Sequence, residues 1–79
     1  MNLNLWPQRR IRTLSLRDRI ILDQAIGGGK PIIRGARLPV TVVLGSLAGG
    51  MTFQEIQQEY DITADDIRAA LQYLADLLG

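Results

Sequence analysis

The chain has 79 residues, of which 47% are hydrophobic and 22% charged, with a formal net charge of +1 and neither cysteine nor histidine. That length holds one globular domain with a small core. The missing residue types exclude disulfides, thiolate or imidazole metal sites, Ser-His triads and the usual near-neutral general base.

Residues 1–17 read as a basic N-terminal arm and 18–79 as the domain. Asn2-Leu3-Asn4-Leu5 alternates like a short strand until Trp6-Pro7 stops it. Arg9, Arg10 and Arg12 follow. The arm is either a mobile terminus or a partner-binding segment, with Trp6 as anchor and Arg9, Arg10 and Arg12 around it, since Trp and Arg are enriched at interface hot spots. Its arginines follow the short apolar start instead of preceding a long one, unlike a secretory signal. No apolar run approaches the ~20 residues of a membrane span. A cytoplasmic protein is therefore expected.

Residues 15–26 carry two patterns. Ser15-Leu16-Arg17-Asp18 has the form of a helix cap, with Gly27 as a stop. Ile20-Ile21-Leu22 is a compact β-favouring run before a glycine cluster, and a strand near Arg19–Leu22 is expected. Gly27-Gly28-Gly29-Lys30 is not a phosphate loop. Gln24 stands where the loop needs its first glycine, and Pro31 stands where it needs a Ser or Thr for Mg²⁺. The glycines read as a turn joining two strands.

From Gly29 to Val40 the pattern is strand, turn, short strand and helix start. Ile32-Ile33 favours an extended, buried path. Gly35 permits the positive φ that a tight turn often needs. Pro39 suits a strand end or a first helical turn. Arg34 and Arg37 flank the turn.

Three helices should follow. Val40, Val43, Leu44 and Leu47 mark one face of the first, which Gly49-Gly50 ends. Thr52-Phe53-Gln54-Glu55 is a capping box opening a second helix, Phe53 to Tyr60, with Met51 placed to staple onto Ile56. Thr63 caps the third, whose first turn holds Asp65 and Asp66 at the positive end of the dipole. Ile67, Ala70, Leu71, Leu74 and Leu78 form its apolar stripe. The expected fold is a small α+β domain: short N-terminal strands in a hairpin, then a three-helix, helix-turn-helix bundle.

The stretch Gly29-Lys30-Pro31-Ile32-Ile33-Arg34-Gly35-Ala36-Arg37-Leu38-Pro39-Val40 resembles the domain-of-unknown-function 433 family, whose hallmark is G-K-P-x-I-x-G-T-R-[IL]-x-V before three helices. Lys30, Pro31, Ile33, Gly35, Arg37 and Val40 are in register with it, while Ala36 replaces the threonine and removes any hydroxyl contact there. The resemblance runs on to Leu78. It implies a strand before the glycines and a homeodomain-like grouping of the helices. It also implies an antitoxin-like adaptor of a toxin–antitoxin pair, a small dimer that binds a PIN-like ribonuclease toxin and, in addition, operator DNA.

The residues themselves leave alternatives open. Residues 1–40 hold eight cations and two anions, a balance of +6, and residues 41–79 one cation and six anions, a balance of −5. This asymmetry fits a nucleic-acid-binding half or two halves that attract each other, within a chain or between two. A recognition helix meets DNA through its N-terminal residues. Here these are Thr63, Ala64, Asp65 and Asp66, which repel phosphate, and the helix's one cation, Arg68, lies further in. DNA binding would therefore fall to Lys30, Arg34 and Arg37. The competing reading pairs Arg34 and Arg37 with Glu55, Glu59 or Asp66, within the chain or across a dimer. Phe53, Tyr60 and Tyr73 read as core or interface. Asp65-Asp66, adjacent on a helix, point about 100° apart and serve as capping anions, not as a metal site. No enzyme, cofactor or small-molecule substrate is expected. A stand-alone DNA-binding regulator and a dimeric interaction module without DNA binding are the alternatives to the antitoxin. The dimer is expected because the chain is small and Leu77, off the main stripe, would be exposed in a monomer.

Overall fold

The computed structural model describes residues 15–79. A single 3-10 turn, Leu16–Arg19, leads into three strands and three helices. These are β1 (Ile20–Asp23), β2 (Ile26–Ile33), β3 (Leu38–Pro39), α1 (Val40–Ala48), α2 (Phe53–Tyr60) and α3 (Ala64–Leu78). The sheet is antiparallel in the order β1-β2-β3. This is the expected small α+β fold, with strands first and helices after.

Both patterns in residues 15–26 have a place. The Asp18 carboxylate accepts from the Ser15 amide at 3.3 Å and the Ser15 hydroxyl at 3.2 Å, closing one helical turn. The β-favouring Ile20-Ile21-Leu22 then ends it, and the strand begins one residue later than expected.

The glycine run is not the hairpin turn. That turn is Gln24-Ala25, closed by the Asp23 side chain accepting the Ala25 amide at 2.9 Å. Leu22 opposes Pro31, but Asp23 opposes Ile26, so residues 27–30 form an insertion in β2. Gly28 (φ 66°) and Gly29 (φ 87°) supply the left-handed backbone that this bulge requires. The expected turn is displaced because a short Asx turn closes more tightly than four residues can.

A second correction concerns the turn Arg34–Arg37, whose left-handed residue is Arg37 (φ 54°), not Gly35. The Arg37 amide donates to the Ile33 carbonyl at 2.8 Å, and the Arg34 amide to the Arg19 carbonyl at 2.7 Å. These bonds tie the turn to both strands at the open end of the hairpin.

Pro39 (φ −59°) ends β3 and caps α1. The stop after α1 comes from Gly50 (φ 100°). Thr52–Glu55 and Thr63–Asp66 both form reciprocal capping boxes. α2 spans the predicted residues, and three residues, Asp61 to Thr63, join it to α3.

Ile33, Val40, Val43, Ile56, Ile62, Ile67 and Ala70 make the core, with Met51, Phe53, Tyr60 and Tyr73 packed against it. Burying each of the larger aliphatic side chains contributes about 1.5–3 kcal/mol. The stripe of α3 sinks only in its first half: Ile67 and Ala70 are buried, whereas Leu71, Leu74 and Leu78 are exposed. Ala69, off that stripe, is buried instead. The helix is clasped from the side by the 3-10 turn and β1 as well as by α1 and α2. Among the described residues no helix is long and apolar enough to cross a membrane.

Candidate functional site

The cations of residues 15–79 fall into two groups. Arg17, Arg19 and Arg68 are in ion pairs with carboxylates. Lys30, Arg34 and Arg37 are exposed and, among the described residues, pair with none. The expected pairing of Arg34 and Arg37 with Glu55, Glu59 or Asp66 does not occur within the chain. Asp66 is held by Arg19 at 3.1 Å, and the Glu55 carboxylate accepts the Thr52 amide at 2.8 Å.

The three unpaired cations stand on β2 and the turn after it. Lys30 lies at the end of the glycine bulge, four residues before Arg34, or about 13 Å along an extended strand. Arg34 Nε donates to the Asp18 carbonyl at 2.8 Å, fixing the side chain while the guanidinium keeps its terminal nitrogens for a partner. Arg37 holds a left-handed conformation that costs a residue with a Cβ roughly 1–2 kcal/mol. The result is a rigid basic turn whose donors suit carboxylate or phosphate oxygens.

The N-terminus of α3 is the opposite case. Asp66 accepts the Thr63 amide at 3.0 Å and also meets Arg19. Asp65 pairs with Arg68 at 2.8 Å and with Arg19 at 3.8 Å. The one cation of this helix is thus spent on its own acid, and among the described residues no free positive group remains there to meet phosphate. At the other end of α3, Arg17 grips Asp76 through two hydrogen bonds of 2.9 and 3.3 Å. Hydrogen bonds from Arg17 and then Gln72 hold the Asp76 carboxyl below the usual range, and the same partnership raises Arg17.

Arg19 and Arg17 are the residues that sequence reasoning missed. Their partners lie 47 and 59 positions away, and no local spacing announces them. Trp6, Arg9, Arg10 and Arg12 lie outside the described residues.

A curated relative similar to this chain is "Putative antitoxin VapB45" of Mycobacterium tuberculosis (strain ATCC 25618 / H37Rv). It is 39% identical over 56 residues, covering 71% of this chain and 23% of the relative. The crystal structure of Rv2018 from Mycobacterium tuberculosis matches with a TM-score of 0.63 and 38% identity, over 71% of this chain and 27% of that one. The chain thus spans about a quarter of the length of the relatives it matches. Residues 20–74, from the first strand to the leucines of α3, match the model of "Protein of unknown function (DUF433)". On that match the chain belongs to the DUF433 family.

Proposed function

We propose that this chain is an antitoxin-like adaptor of a toxin–antitoxin pair, which binds a PIN-like ribonuclease toxin through its basic turn. The observation that carries the reading is the set of unpaired cations, Lys30, Arg34 and Arg37, in a chain 39% identical to a putative antitoxin over the matched residues. Nucleases of the PIN-like class hold their metals with clustered carboxylates, so a rigid cationic turn is complementary to the mouth of such a site. Trp6, Arg9, Arg10 and Arg12, the partner-binding residues read in the sequence, would add an aromatic anchor and three further cations for the same partner. The working unit is a homodimer in the cytoplasm, which brings two basic turns to one assembly and raises avidity. It performs no catalysis of its own.

Operator DNA is the second ligand of the same cations. The charge pattern favours it at the basic turn, whereas the helix-turn-helix comparison would place it at α3, where Asp65 and Asp66 stand. A salt series separates the readings. The protein and its Arg34→Ala/Arg37→Ala variant are titrated against duplex DNA and against a PIN-like ribonuclease. Nuclease inhibition that the double variant loses supports the adaptor. Salt-steep DNA binding without any nuclease inhibition overturns it in favour of a stand-alone regulator.

A further inference from the structure

α3 is about 22 Å long, and its second half carries more apolar surface than the core can cover. Leu77 is 67% and Leu78 80% exposed, Leu71 and Leu74 are also exposed, and Leu22 on β1 is 63% exposed. Leaving aside Leu71, which lies about half a turn around α3 from Ala69, the other four leucines leave roughly 450 Å² open, within the range of a monomer's largest patch. Beside them is a groove of about 210 Å³ lined by Arg17, Ile20, Leu22, Ala69, Tyr73 and Asp76. Leu77 lies one helical turn beyond Tyr73, so a protruding leucine and a receiving groove stand side by side on one face of α3.

The rim of the groove is electrically closed. Arg17 and Asp76 neutralise each other at 2.9 Å, and the other lining residues are Ile, Leu, Ala and Tyr. An acidic partner that suits the basic turn gains nothing here; an uncharged apolar knob does. Leu77-Leu78 of another copy is such a knob. Roughly 450 Å² of leucine is over half of the ~800 Å² per partner that a stable interface buries, before Tyr73 and Ile20 contribute.

We infer that this face is an isologous self-association surface, in which Leu77 and Leu78 of each copy seat in the Ile20–Leu22–Tyr73 groove of the other. The inference rests on the homodimer named above and supplies its interface. Neither Lys30, Arg34 nor Arg37 takes part, so both basic turns stay free for their partner.

The test is sedimentation equilibrium of the full chain alone, with neither DNA nor nuclease present. Wild type should dimerise in the micromolar range. Leu22→Asp and Leu77→Asp, both at exposed positions, should each weaken the dimer about a hundredfold while keeping the wild-type circular dichroism. The chain has no cysteine, so cross-linking supplies an independent reading that needs no loss of stability. Oxidising a mixture of Leu22→Cys and Leu77→Cys copies should give a disulfide-linked pair that neither variant gives alone. A wild-type monomer at about 100 µM, undiminished dimerisation of both Asp variants, or equal cross-linking of unmixed copies would each overturn it. None of these results bears on binding through Arg34 and Arg37, which the salt series reads separately.

Discussion

Replacing Arg19 with alanine should destabilise the domain more than any other single loss of a charge among the described residues. Arg19 joins the start of the hairpin to the N-terminus of α3, meeting Asp66 at 3.1 Å and Asp65 at 3.8 Å. Its side chain is 28% exposed and that of Asp66 only 15%. An exposed pair is worth under about 1 kcal/mol, and breaking a fully buried one costs about 3–5 kcal/mol. The geometry lies between, and a charge-assisted hydrogen bond contributes about 1.5–3 kcal/mol. The buried Arg19 Nε has no hydrogen-bond partner among the described residues, which offsets part of that gain. The expected loss is about 2 kcal/mol, or roughly 10 °C in Tm for a domain of this size. Urea unfolding at constant m-value measures it. Arg19→Met keeps the apolar stem and removes the charge, so it should recover only a minor part of the loss. If Arg19→Ala lies within about 0.5 kcal/mol of wild type, the range of ordinary surface changes, the ion pair does not anchor α3. If Arg19→Met matches wild type, the stem anchors it and the charge does not.

Arg37→Gly should separate binding from stability. It relieves the left-handed strain at φ 54° but adds freedom to the unfolded chain, so thermal stability should stay within about 1 kcal/mol of wild type. Partner binding should fall as much as for Arg37→Ala, and a glycine variant that binds normally would show that the cation is not used. Asp76 carries the pH prediction. Its carboxyl is held low by Arg17 and Gln72, so its contribution is present above the unfolded-state value of about 4 and is lost as pH falls through the folded value. The Tm difference between wild type and Asp76→Asn should therefore be visible near neutrality and shrink as pH drops below about 4. A difference that persists unchanged in acid would mean that the carboxylate's charge is irrelevant.

The helices were legible because each of their boundaries is written locally. Thr52 with Glu55, and Thr63 with Asp66, place both ends of a capping box within four residues, and both boxes form. Pro39 and Gly49-Gly50 bracket α1 in the same way. The short strands were legible in kind but not in detail. A glycine run permits a turn or a bulge equally, and the Asp23 side chain, which closes the turn at Gln24-Ala25, decided between them. Gly35 was expected to take positive φ because it can do so without cost. The hydrogen bond from the Arg37 amide to Ile33 instead places that conformation two residues later. The unpaired state of Arg34 and Arg37 was not legible at all. It depends on Asp66 being taken by Arg19, a contact between residues 47 apart that no window on the chain contains.

The charge asymmetry of the chain therefore has two physical meanings at once. Part of it is internal wiring: Arg17 and Arg19, in the basic half, hold Asp76, Asp65 and Asp66 of the acidic half and fasten α3 along the hairpin. These charges lose most of their reach, because each is cancelled within about 4 Å while screening removes what remains beyond roughly 8–10 Å. The rest is an uneven spread of exposed charge over the described surface. Lys30, Arg34 and Arg37 form a positive region on the sheet side, while Glu59 and Asp61 on and after α2 stay exposed. An acidic partner approaching such a molecule is drawn to the turn and repelled from α2, so its orientation is selected before contact. Neutralising Arg34 and Arg37 should then slow association more than it speeds dissociation, and the effect should fade as salt rises. The same argument sets α3 apart from a groove-reading helix: its first turn is neutral by pairing, and its far end is apolar. On this chain the helix that a fold comparison would send into DNA is the one best suited to meeting protein.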